Sequence, residues 1–292
     1  MLAATLAIVT SFLIGITTIL MKKAIERTNA TSAMLMVTLV GTVIFLLISL
    51  PTLPIQYMKS RALPYFVVAG LFSPALVRWL YFISLERIGA SVSSSVLATG
   101  PAFTAIVALV LLNEKITPQI AIGILITIGG IVIFERKMHN GAQIGSRTGK
   151  DLLFPLFSAL FLSFAIVSRK MGLNILDSPL FGVTIGFGTS LVIYLIACLA
   201  FKKLRSSLLI KKEDLPCFCA AGISLTAAWL TMFYALSFGD AVIVTPLSSL
   251  HPLFVLVLGY FFLGKVERIT PGIVAGVCAV VAGVLLITAG QI

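Results

Sequence analysis

Gly89–Leu112, GASVSSSVLATGPAFTAIVALVLL, can be laid over Asp240–Leu263, DAVIVTPLSSLHPLFVLVLGYFFL, so that Pro101 falls on Pro252. Each run is followed by a short charged turn and then Thr-Pro: Thr117-Pro118 in the first case and Thr270-Pro271 in the second, whose turn is two residues longer. Threonine caps a helix, and proline suits a first turn whose N–H has no partner anyway, so two helices start alike. The match extends upstream. Ala69-Gly70 pairs with Ala221-Gly222, Gly41-Thr42 with Gly188-Thr189, and Lys22-Lys23 with Arg169-Lys170. The chain reads as two related halves, residues 1–137 and 151–292, joined by a basic loop at 138–150.

The solvent for these halves is lipid. Hydrophobic residues make up 59% of the chain and charged ones 11%, more apolar surface than one water-soluble core can hide. A spanning helix needs about 20 mainly apolar residues. Windows of that length occur at 2–21, 32–50, 64–85, 90–112, 119–134, 152–171, 179–201, 216–237, 241–263 and 271–289. Barrel strands would alternate apolar and polar residues, whereas these runs are apolar on every face. The first run lacks the basic front and small-residue cleavage site of a secretory signal and reads as a retained span. The stretches Glu135–Lys150 and Lys202–Asp214 are too short to bury a core of their own. Function therefore belongs inside the bilayer.

The expected fold is all-α and membrane-embedded, with ten transmembrane helices. Five helices per half is an odd number, so the second half enters with the opposite orientation, giving two inverted five-helix repeats. Inverted repeats are a common construction of secondary transporters, because two mirrored halves can exchange inward-open and outward-open shapes around one site.

The sequence here resembles the ten-helix, two-EamA-domain members of the drug/metabolite transporter superfamily. The resemblance rests on the small-residue fourth and ninth helices leading to Pro101 and Pro252, the Leu-x-Glu turn Leu112–Glu114, the Thr-Pro starts, and the Gly-rich fifth and tenth helices. The longer turn reaching Glu267 departs from the pattern. The resemblance implies helices one to four and six to nine around a central cavity, with five and ten outside. It also implies secondary transport of amino acids, metabolites, nucleotide sugars or drugs, export being favoured.

Orientation follows from charge. Loops after helices one, three, five, seven and nine carry 15 Lys and Arg, those after two, four, six and eight carry 5, and Arg78 stands apart. By the positive-inside rule both termini are extracytoplasmic, in a multi-pass protein of the cytoplasmic membrane, against the habit of relatives. The net charge of +11 thus belongs to loops flanking spans, and nucleic acid is not an expected partner. Cys198, Cys217, Cys219 and Cys278 have neither metal-ligand nor disulfide spacing.

Arg78, about 5 Å from the middle of a helix over 64–85, is the most informative residue. A charge at such depth costs at least about 2.5–3.5 kcal/mol, so it faces a bundle interior or wet cavity and has a partner. Two readings stand. Its guanidinium receives a carboxylate or phosphate of a solute, or it is structural, satisfied by carbonyls or Glu86, or by snorkelling. Trp79, Tyr81, Trp229 and Tyr234 lie at the corresponding level, and residues three or four apart share a face. Ser94 and Thr99 precede Pro101, and Ser248 and His251 precede Pro252. These hydroxyls permit close helix contact and satisfy carbonyls freed by proline, or they line a path bent by Pro101 and Pro252. His251 is a proton carrier or a hydrogen-bonded core residue. Gly272 and Gly276 form a GxxxG that permits close approach, within a monomer or a homodimer.

Glu86, Glu114, Asp240 and Glu267 sit at helix ends, which argues against proton coupling through a buried acid. No HExxH, intramembrane acid pair or activated serine supports an enzyme, and no cofactor or metal is implied. No filter or charged ring supports a channel. The expected partners are a small-molecule solute, anionic or zwitterionic by preference, and the lipid bilayer; a lipophilic cation is the alternative solute.

Overall fold

The structure, a computed structural model, describes residues 1–25, 30–88, 93, 96–138, 149–200, 212–263 and 271–290. Every regular element among them is helical. Among the described residues eight helical segments, two of them interrupted, are long and apolar enough to cross a membrane, and two further apolar segments, Gly100–Leu112 and Pro118–Phe134, are shorter. Side chains such as Leu47 (68% exposed) and Leu199 (78%) point outward, a surface that suits lipid rather than water. An integral membrane protein is the consistent reading.

The first half comprises α1 (Leu2–Ile25), α2 (Ala30–Thr52), α3 (Leu63–Gly70), α4 (Val77–Ile88), α5 (Gly100–Leu112) and α6 (Pro118–Met138). The second comprises α7 (Leu153–Ile175), α8 (Pro179–Ala200), α9 (Leu215–Phe238), α10 (Ala241–Ser248), α11 (His251–Leu263) and α12 (Pro271–Ala289). The halves are interleaved. α1 packs on α9 and on α10 and α11; α2 packs on α8 and α9; α3 and α4 pack on α7; and α5 packs on α7. Within a half, neighbours such as α1 and α2 barely touch.

α6 and α12 pack chiefly on each other, because glycines let their backbones meet. A Cβ at Gly130 would fall 2.7 Å from Val280 N, and one at Gly276 would fall 2.9 Å from Phe134 N. The GxxxG glycine Gly276 is thus spent on contact inside the chain.

Three of the expected continuous helices are broken among the described residues; the run 90–112 turns at Ala98-Thr99, so that α5 starts only at Gly100. The run 64–85 divides between α3 and α4, where Pro74 cannot donate and Ser73 is extended (φ −138°, ψ 126°). Carbonyls around the break are met from the second half: Gly70 O by Ser190 Oγ (2.8 Å), Pro74 O by Tyr194 Oη (3.3 Å), and Ser73 O by Arg169 Nη2 (3.0 Å). The run 241–263 divides at Ser249-Leu250, just before Pro252, so the expected bend is a break. Ser11 Oγ donates to Leu247 O at the break (2.8 Å). Irregular backbone at membrane depth persists only where such partners exist.

The most consequential difference lies in α7. The sequence reading ends helix six at 171 and takes Arg169-Lys170 as its loop-side end, but α7 continues to Ile175 and both side chains are buried, 3% and 8% exposed. Lys170 Nζ donates to Leu236 O (2.8 Å) and Gly239 O (2.9 Å), at the carboxyl end of α9. Those carbonyls have no helical N–H to accept, and they stabilise the ammonium in place of water.

Candidate functional site

The breaks at Ser73-Pro74 and at Ser249-Leu250 both border a cavity of about 650 Å³. That volume is in the range of small-molecule sites, about 300–1,000 Å³. Both halves line it. Of the residues singled out by sequence, Arg78, Tyr81, Pro101, Trp229, Ser248, His251 and Pro252 border this space. Most of the remaining wall is apolar, as at Ile14, Phe134 and Met232. No Asp or Glu is among the described residues lining it.

Arg78 reaches the cavity because the break at Ser73-Pro74 starts α4 afresh at Val77, which puts Arg78 in a first turn rather than mid-helix. Tyr194 lies within its electrostatic reach. The neighbouring Trp79, one residue and therefore about 100° further round the helix, is 58% exposed and does not border the cavity. Tyr234 is likewise turned outward, 38% exposed and stacked on Phe238 at 6.4 Å. Trp79 and Tyr234, candidate solute contacts by sequence, therefore do not border the cavity. Thr99 does not line the cavity either; its hydroxyl donates to Val96 O (2.6 Å) one turn back. Ser94 lies outside the described residues.

Ser248 and Ser249 Oγ both donate to Thr245 O (2.9 Å each), a carbonyl of the last turn of α10 that also accepts from Ser249 N (3.1 Å). His251 follows the break, with its Nδ1 buried and without a hydrogen-bond partner. On the first-half side, Ser163 Oγ donates to Gly100 O (3.1 Å) and receives the Thr104 hydroxyl (3.1 Å) beside Pro101.

The residue that sequence reasoning missed is Arg169. Its guanidinium lies over the Trp229 ring at 4.3 Å and within 5.7 Å of Phe233, and it borders the same cavity as Arg78. Nη2 is tied to Ser73 O, while Nη1 is buried with no hydrogen-bond partner. The ring faces attract the cation electrostatically but accept no hydrogen bond in its plane. The signal in the sequence was the equivalence of Arg169-Lys170 with Lys22-Lys23 together with the apolar residues continuing past it, Leu173 and Ile175.

All eight residues of α10 are buried, and its amino end is held by Glu114 of the other half, whose carboxylate accepts from Ala241 N and Val242 N (2.9 Å each). Asn113 has left-handed backbone (φ 54°), which asparagine tolerates, and this turns the chain beyond α5 so that Glu114 reaches back. Lys170 on the α9 end and Glu114 on the α10 end thus clamp one connection from its two sides.

The model of the EamA-like transporter family matches residues 1–135 and 150–289. A solved structure described only as "Crystal structure of protein" superposes with a TM-score of 0.79 at 16% identity, over 98% of this chain and 96% of that one, a likeness of fold alone. No curated protein matches.

Proposed function

The chain belongs to the EamA-like transporter family, within the drug/metabolite transporter superfamily, and on that premise we propose that it is a secondary carrier. It has ten spans in two inverted five-helix repeats and exports a small anionic or zwitterionic metabolite, an amino acid or organic acid, by alternating access. The observation that carries this reading is the cavity of about 650 Å³ lined by both halves and holding Arg78. The packing supports the repeat. Exchanging each span for its counterpart five further on turns the contact of α1 with α9 into that of α7 with α3 and α4, and the contact of α5 with α7 into that of α10 and α11 with α1. Two mirrored halves related in this way can rock about a common site.

The guanidinium groups on the cavity wall count against a lipophilic cation, since like charges in a low-dielectric space repel strongly. The family is one of transporters, not of enzymes.

Arg78→Ala is expected to slow saturable counterflow of the transported anion in proteoliposomes by at least about tenfold, the value of one charge-assisted hydrogen bond, while the purified variant elutes normally. Undiminished counterflow would remove Arg78 from the site. Both termini are extracytoplasmic in this reading, because burial of Arg169 and Lys170 takes two cations out of the loop count and widens the bias of 15 against 5. A reporter fused after Ile292 should therefore be active outside the cytoplasm, and cytoplasmic activity would reverse the orientation.

A further inference from the structure

We infer that Arg169 receives the anionic end of the solute, and that the solute is a net-anionic organic acid with an apolar body rather than a zwitterion. This rests on the carrier reading above and narrows its substrate class. Arg169 is 3% exposed, yet one face of its fork, Nη1, has no hydrogen-bond partner. A buried donor left open is unfavourable unless something completes it. Thr245 (2% exposed), which borders the same cavity, also has a buried Oγ1 without a partner. A carboxylate or phosphate oxygen can accept from both an arginine N–H and a threonine hydroxyl. The Trp229 face and the Ser73 carbonyl hold the guanidinium still, so little ordering is needed when the anion arrives.

The sign of the rest of the solute follows from the other walls. Arg78 adds a second positive charge, and no carboxylate to receive an ammonium group is among the described lining residues. The face of Trp229, the usual alternative seat for an ammonium, is covered by Arg169 itself. The apolar lining then accommodates a hydrocarbon body.

The test uses the full-length protein and three probes sharing one phenylethyl body: 3-phenylpropionate, phenylalanine and phenethylammonium. Trp79→Phe leaves Trp229 as the sole tryptophan of the chain, so its emission reports binding at Arg169. In that background 3-phenylpropionate should change the emission saturably and bind at least tenfold more tightly than either other probe. Arg169→Gln should weaken it about ten- to hundredfold. Arg169→Lys, which keeps the charge if the Gln variant fails to fold, should still weaken it severalfold through loss of the planar fork. Equal binding of phenylalanine, preference for phenethylammonium, binding of none of the three, or unchanged affinity in the Arg169 variants would each overturn the inference. Counterflow in vesicles of the same preparation separates the two levels. Saturable exchange of amino acids or cations without 3-phenylpropionate leaves the carrier standing and removes the anion claim, whereas non-saturating ohmic flux removes the carrier.

Discussion

Glu114→Ala is expected to destabilise the protein by about 2–5 kcal/mol, because two buried backbone N–H groups, those of Ala241 and Val242, lose their acceptor at once. The loss falls on a junction rather than on one helix. Glu114 belongs to the first half and α10, which lines the cavity through Thr245 and Ser248, to the second, so the substitution also loosens a contact between the halves beside the cavity, and transport should fall with stability. Glu114→Gln keeps one acceptor oxygen but sets an amide donor against the second N–H, and its cost should be about 1–3 kcal/mol. Burial pushes the Glu114 carboxyl above its ordinary 4.5, with the Val242 and Ala241 N–H groups pulling it down, Asp240 adding to the rise and Lys170 opposing it. The folded state thus binds this proton more tightly than the unfolded chain does. Its contribution to stability is fully present below pH 4.5 and is lost as pH rises through the elevated value. Melting temperatures in detergent, measured upward from pH 4, should fall for the wild type relative to E114Q across that window. Parallel curves would mean that Glu114 does not titrate there.

The same residue marks how far sequence reasoning reached. The Leu-x-Glu turn was legible as a motif, and Asn113-Glu114 as the end of a helix, because both are local patterns. That the carboxylate caps a helix more than a hundred residues away was not legible, since a cap across halves leaves no periodicity. The spans were readable from their apolar runs for the same local reason. The break in the third span had a visible cause in Pro74, but a proline at depth bends or breaks according to which neighbours can satisfy the freed carbonyls. Here Ser190, Tyr194 and Arg169 come from another half of the chain.

The site divides along the same line. Arg78 stood out because an isolated arginine in an apolar run is costly wherever it lies. Arg169 and Lys170 did not, because an adjacent pair of cations ordinarily marks where a span leaves the bilayer. Their burial depends on the Ser73, Leu236 and Gly239 carbonyls and the Trp229 face. Those are tertiary partners, and only the fold supplies them. Trp79 and Tyr234 illustrate the opposite error: proximity in sequence to a cavity residue says nothing about the helix face, and one step along a helix is enough to turn a ring to lipid.

Gly70→Ala should be far more damaging than Gly186→Ala, although the two glycines touch. A Cβ at Gly70 would fall 2.5 Å from Gly186 O and 3.0 Å from Gly186 Cα, backbone atoms that cannot rotate away. α3 and α8 must then separate by several tenths of an ångström, at about 1–3 kcal/mol for overpacking, and the Ser190 bond to Gly70 O is strained with them. A Cβ at Gly186 meets nothing within 4 Å, and alanine is the better helix former by about 1 kcal/mol. That variant should melt at or slightly above the wild-type temperature. The consequence for the site comes three residues downstream of Gly70, where Ser73 O holds Arg169 Nη2. Displacing α3 withdraws that carbonyl, so Gly70→Ala should also alter Trp229 emission in the Trp79→Phe background and weaken anion binding, even in protein that still folds. Equal melting temperatures for the two alanine variants would show that α3 and α8 are not in backbone contact, and an unchanged Trp229 signal would uncouple the break from the arginine it positions.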